Sequence, residues 1–507
     1  MFFIPRLNED CAHIILSYMN KASLLKMART SRATHVATRT YLSRTVNLDR
    51  SDEQVLAFCD YILNNDLANH IRHLRIGESA YFVAGWGPLH GAYHSDEGAE
   101  DRDHRLFVRH FADVLEQARN LILLVITPLA QQLLDEPRIL QAIISRPPAA
   151  QLELAYLEQD TLTTLSRLRM LSPVRLSPGV EIVAFPQILA NNADGLRELD
   201  LRYCFPDYPY PSSQKTLPQF PCIRALSLVS VPTTLQQLAA VFPNLRDLVI
   251  GGTTEGYDIP NFEQSCVETM TTLWPELRSL EGEASVVMGL AATSPQLRRI
   301  DVQSTMSDAS FNELCTTMQL RSIASFRLLV TVRPSPSIVE NLGAWSDRGV
   351  TAGTFWSKIA DAFPQATYMN LTLQYAMPMN ESTIISRLVK DPSVRALGAL
   401  RPLKYVTFLI ATWFDDEDDH DGVRYCSQTA SPGVQSLVRH WFNEIPSLDY
   451  LELRSIYAGA GSCQWRRQLD LTQKTQFESG DVLFQSVLVT DEECLDISEQ
   501  YEWEGCR

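Results

Sequence analysis

Long apolar runs are missing from this chain of 507 residues; no stretch of about 18 uncharged apolar residues exists to cross a bilayer. Clustered cysteine is missing too. The ten cysteines stand singly, with no Cys-x-x-Cys, which speaks against a zinc module or a disulfide scaffold and suits free thiols in a reducing cytosol or nucleus. The opening MFFIPR reaches Arg6 too soon to hold the apolar segment of a secretory signal, so the expected location is cytoplasmic, nuclear or both. Catalytic signatures are equally scarce. There is no Gly-x-Ser-x-Gly, no Gly-Lys-Ser/Thr after GAGS at 459–462, and no Cys/His pair that stands out. The expectation is a non-catalytic protein with no cofactor and no metal.

Basic residues are outnumbered, 44 Lys and Arg against 60 Asp and Glu, for a net charge of −16. A surface of that sign repels nucleic acid, and no nucleic-acid or membrane partner is expected. The charge is unevenly spread. Residues 1–50 carry eight bases against three acids, a net of +5, which leaves −21 on the remainder. A basic head on an acidic body suits an acidic partner for the head. Two acidic clusters resemble metal sites only superficially. His90, His94, Asp96, Asp101, Asp103 and His104 follow a glycine-rich stretch and read as a loop insertion. The run at 415–420 lacks a calcium loop's closing glutamate, since position 428 is Gln.

What the chain does have is a repeated phrase, Leu-Arg-x-Leu-x-Leu or a near variant. It occurs at 195–201, 221–228, 243–250, 275–282, 294–302 and 446–453, with weaker copies at 70–76, 120–126, 151–157, 367–373 and 403–409. The anchors Leu196, Ile223, Leu245, Leu277 and Leu297 lie 20 to 32 residues apart, close to the period of leucine-rich repeats. Amphipathic stretches at 233–242, 265–274, 309–318 and 355–363 carry apolar residues at three- and four-residue steps, whereas the phrases alternate at two. About a dozen strand–helix units between His70 and Tyr457 follow. No unit covers its own apolar face, so neighbours stack. Parallel strands about 4.8 Å apart, against helices needing roughly 8–10 Å, predict a curved array with the sheet on the concave side. Alternate strand residues then face a partner: Glu198, Asp200, Arg202, Asp247, Glu281, Arg299, Asp301, Asn370, Tyr405, Tyr450, Glu452 and Arg454. Mixed charge with tyrosine suits protein recognition.

The first fifty residues are of another kind. Asn8, Glu9 and Asp10 open a helix whose apolar residues Cys11, Ile14, Ile15, Tyr18 and Met19 recur at helical spacing. Ser23 is placed to cap a second helix with Leu24, Leu25 and Met27, and the segment 33–46 offers Val36, Tyr41, Leu42 and Val46 to a third. So small a unit leans on a neighbour and leaves apolar side chains for a partner.

Leu7, Asp10, Ile15, Leu16, Tyr18, Ser23-Leu24-Leu25 and Ser31-Arg32 resemble the F-box at matching spacing, departing from it at Asn8, where the family has Pro, and near Tyr41, where it often has Trp. An F-box followed by degenerate repeats is similar to the fungal F-box proteins. The resemblance implies an α/β chain: F-box over 1–46, helical linker over 47–69, leucine-rich-repeat solenoid over 70–457, and a C-terminal cap and acidic tail over 458–507. It also implies a Skp-type adaptor, bound through Leu7, Ile15, Leu16, Leu24 and Leu25, and through it a cullin. The chain would be the substrate receptor of a ubiquitin ligase, and the transfer chemistry would belong to its partners. The alternative is a repeat scaffold acting outside any ligase.

Overall fold

The computed structural model describes residues 8–48, 52–77, 100–127, 136–144, 151–157, 164, 174–178, 189–202, 218–229, 235–251, 273–333, 350–375, 392–412, 432–455 and 463–466. It is a mixed α/β chain in two compact units, Met1–Val231 with Ala240–Pro243, and Pro232–Ala239 with Asn244–Arg507.

In the first unit, helices α1 (Glu9–Tyr18), α2 (Lys21–Ala28) and α3 (Arg32–Leu42) precede strands β1 (Thr45–Leu48), β2 (His73–Ile76), β3 (Leu123–Ile126), β4 (Gln151–Leu157), β5 (Val174–Pro178), β6 (Leu196–Arg202) and β7 (Ala225–Val229). Each strand pairs in parallel with the next in chain order. Parallel neighbours need a crossover, supplied by the helices Asp52–Asn64, Glu100–Gln117 and Pro137–Ile144.

The second unit repeats the plan. Strands β8 (Asp247–Gly251), β9 (Ser279–Gly282), β10 (Arg299–Met306), β11 (Ser325–Arg333), β13 (Tyr368–Tyr375), β14 (Tyr405–Thr412) and β15 (Tyr450–Ser455) are parallel. The short β12 (Val350–Thr351) adds to β11, and β16 (Cys463–Arg466) closes on β15 antiparallel. Crossover helices include Ala284–Thr293, Asp308–Met318, Ala352–Ala362 and Pro432–Glu444.

Register aligns the apolar positions. Leu248, Leu280, Ile300, Phe326, Met369, Val406 and Leu451 occupy one row across successive strands, and all are buried. Burying each such side chain contributes roughly 1.5–3 kcal/mol. Large rings fill the space between strands and helices: Trp356 meets Phe355 and Trp441 edge-on, with Phe408 beside both tryptophans.

Several local expectations change. The second helix is capped by Asn20, whose side chain accepts from Ser23 N–H, so Ser23 sits inside the helix. The third helix ends at Leu42, which moves Val46 into β1, and Val36 faces outward while Thr34 and Thr38 take the buried positions. A helix begins at Glu100, so Asp101, Asp103 and His104 are helical residues and not part of a loop. β1, β5, β11, β12 and β16 carry no copy of the phrase and were not foreseen. The stretch 265–272, His90, His94, Asp96 and the segments at 415–420, 459–462 and 476–507 lie outside the described residues.

Candidate functional site

Two surfaces carry the expected site residues. At the N-terminus, Leu16 of α1 and Leu24 and Met27 of α2 form a small core, against which Met19, Ala37, Tyr41 and Leu42 pack. Tyr41 is pinned on both sides: its hydroxyl shares a hydrogen bond with His13 Nδ1, and the Arg44 guanidinium lies 4.3 Å from its ring centroid. Partial burial pushes its phenol above the usual range, against a smaller opposing pull from Arg44.

Much of the apolar face of α1 is turned out to solvent. Ile14 is 55% exposed, Ile15 46% and Tyr18 87%, with Leu25 of α2 and Val36 of α3 similarly open. The buried residue of α1 is Leu16, one step off the expected stripe. A short helix on a small core can bury only one edge, and the rest of its apolar surface stays in solvent. The expected adaptor contacts therefore divide. Ile15 and Leu25 are exposed, Leu16 and Leu24 support the fold, and Leu7 lies outside the described residues. Lys21, Lys26, Arg29 and Arg32 are exposed on the same helices.

The second surface is the polar face of the strands. In the second unit Asp247, Arg299, Tyr405 and Tyr450 share one row with Ser279, Ser325 and Tyr368. Glu281, Asp301, Asn370 and Glu452 share the next, with Arg327 and Thr407. In the first unit Glu198 and Asp200 lie opposite Ala225 and Ser227, and Arg202 opposite Val229. Alternation thus groups the residues as expected.

Their exposure departs from expectation. Asp200, Asp301, Asn370, Tyr405 and Glu452 are buried. Each side chain in such a row is flanked by those of strands about 4.8 Å away, and here the flanking groups bond to one another. Tyr368, Tyr405 and Tyr450 stack ring on ring at 5.3 and 5.9 Å. The Tyr405 hydroxyl donates to Glu452 Oε2 at 2.8 Å, and Thr407 Oγ1 donates to the same oxygen at 3.2 Å. Arg327 Nη1 donates to Asp301 Oδ2 at 3.0 Å. These buried residues are fixed supports more than contact groups. Those left with surface are Asp247, Glu281, Arg299, Arg327, Gln303 and Tyr450, and also Glu198 in the first unit. A hollow of about 270 Å³ opens among Asp301, Val302, Gln303, Arg327, Leu329 and Thr372.

Arg327, Gln303 and Thr372 were missed. Arg327 sits in a strand that alternates as Phe326, Leu328 and Val330 but lacks the repeated phrase, so only its period of two marked it. The side chains of Arg202 and Arg454 lie outside the described set. Among the described residues no three His, Cys, Asp or Glu side chains gather as metal ligands, and no helix is long and apolar enough to cross a membrane.

Comparison with family models and with curated proteins finds no match for the chain.

Proposed function

We propose that the chain is a non-catalytic receptor that holds a protein substrate on the polar face of its strands and docks an adaptor through its first three helices. The F-box resemblance makes that adaptor Skp-type and the assembly a cullin-based ubiquitin ligase, with the parallel strand–helix array acting as a leucine-rich-repeat solenoid. One observation carries the reading: the large apolar side chains Ile14, Ile15, Tyr18, Leu25 and Val36 are all exposed within a small unit of three helices. So many exposed large apolar side chains in so small a unit point to an interaction site, and the exposed bases on the same segments fit an acidic partner. The receptor supplies proximity and orientation, while covalent transfer belongs to its partners.

Co-purification of the full chain with a Skp-type adaptor tests this. Ile15→Asp with Leu25→Asp should abolish capture while leaving thermal unfolding unchanged, since both positions are exposed. Leu24→Ala would not discriminate, because Leu24 belongs to the small core. Capture of the adaptor that is equally strong for the double variant rules the docking surface out. If wild-type chain captures no adaptor at all, a scaffold outside any ligase takes its place.

A further inference from the structure

The repeated phrase contains an arginine that neither surface uses. In the second unit Arg246, Arg278 and Arg298 stand immediately before β8, β9 and the start of β10. Backbone hydrogen bonds place them on successive rungs: Arg278 N–H donates to Arg246 C=O at 2.7 Å, and Arg298 N–H donates to Arg278 C=O at 2.8 Å. At about 4.8 Å per rung, three guanidinium-bearing residues follow one another along the edge where the strands begin.

The fold does not require arginine there. The same rung continues through Ala324, Thr367 and Lys404, which make the equivalent backbone bonds. Like charges on adjacent rungs destabilise a sheet, so the column costs stability and calls for a counter-charge. Arg246 shows how that charge is met. Its Nε and Nη2 both donate to Glu276 Oε2 at 3.1 Å. Arg278 is exposed and forms no ion pair with a described residue. Arg298 is also exposed; it spends Nη1 on the neutral Ser322 carbonyl at 3.1 Å and forms no ion pair with a described residue.

We propose that this edge is a docking surface for an extended acidic peptide, whose carboxylates take Arg278 and Arg298 as Glu276 takes Arg246. Alternate side chains of an extended peptide lie about 6.8 Å apart, a span that long arginine side chains on neighbouring rungs bridge from a peptide running obliquely across them. Nucleic acid fits less well: a strand carries a charge about every 3.4 Å, against about every 6.8 Å for such a peptide, so the net charge of −16 repels it more strongly. The surface is separate from the helical docking site, so its test stands or falls independently of adaptor capture.

The probe is a fluorescent ten-residue peptide with Glu at alternate positions, titrated with the full chain at low salt and followed by anisotropy. A matched Gln peptide and an unlabelled single-stranded oligonucleotide are run beside it. Saturable binding of the Glu peptide alone is expected, weakened about tenfold or more by Arg278→Gln with Arg298→Gln, as loss of two charge-assisted contacts implies. Should that pair unfold, Arg278→Glu decides by itself, since Arg278 is exposed and its side chain forms no hydrogen bond or ion pair with a described residue; it must lose binding at an unchanged melting temperature. Arg278→Lys must recover part of it. Absence of saturable binding, equal affinity in the variants, equal binding of the Gln peptide, or displacement by the oligonucleotide at lower concentration than unlabelled Glu peptide each overturns the proposal.

Discussion

Gly398 lies in the short 3-10 helix Pro392–Ala399, and a Cβ added there would run into the backbone carbonyl oxygen of Glu444 on the crossover helix Pro432–Glu444. Backbone cannot swing aside as a side chain can, so Gly398→Ala should cost about 1–3 kcal/mol, the range for overpacking. Denaturant unfolding followed by tryptophan fluorescence reads this in the second unit, where Trp356 and Trp441 are buried; an unchanged midpoint would show the two segments free to part. Thiol chemistry gives a second residue-scale prediction. Burial first, and neighbouring acids after it, push Cys59 up to about 12; burial does the same for Cys315, where Lys358 pulls the other way. An alkylating reagent at neutral pH should therefore modify exposed Cys11 and spare both buried thiols until the protein is unfolded. The folded chain keeps these two protons to about 12, while the unfolded chain releases them near 9.0. The stability this contributes is full below pH 9 and is lost as pH climbs towards 12. Midpoints that stay flat over that interval would contradict the buried environment. At this scale the sequence was a partial guide. Alternation placed Asp301, Tyr405 and Glu452 on the polar face, but their burial depended on cross-strand partners tens of residues away, such as Arg327 on Asp301.

Strand periods were legible from alternation, but helix starts less so: α2 is capped by Asn20 and not by the expected Ser23, and the cap of α3 at Ser31 went unmarked. Ser31 accepts from Thr34 N–H while Thr34 Oγ1 accepts from Ser31 N–H, a reciprocal cap written in four residues. Ser31→Ala removes it and should lower stability by about 0.5–2 kcal/mol. Hydrogen exchange of α3 amides is the direct measurement, and protection equal to wild type would show that packing alone holds the helix. Elements without a local signature went unseen. β5 and β16 carry no copy of the phrase and gain their place from pairing with β4, β6 and β15. The facing of α1 also depended on its neighbours. Its apolar residues were evident, but which edge meets α2 and α3 follows from Leu16 joining Leu24 and Met27, a choice among several apolar residues that periodicity does not make.

Charge belongs to the whole chain, and here it is separated along the sequence: +5 over residues 1–50 and −21 beyond. The proposed acidic adaptor would be attracted by the basic first fifty residues and repelled by the acidic remainder. Both effects act through solvent and fade over a Debye length of about 10 Å at 0.1 M salt. If the adaptor docks as proposed, its association should slow several-fold when salt rises from about 0.05 to 0.5 M, whereas dissociation, which would free the exposed Ile15, Tyr18 and Leu25 from apolar contacts, should change little. Surface-immobilised adaptor with the full chain flowing over it separates the two rates. Replacing Lys26, Arg29 and Arg32 by Gln should flatten the salt dependence of association while sparing dissociation. An association rate that is indifferent to salt, or that rises with it, would mean the basic head plays no part in steering and that its charges merely solvate the helices.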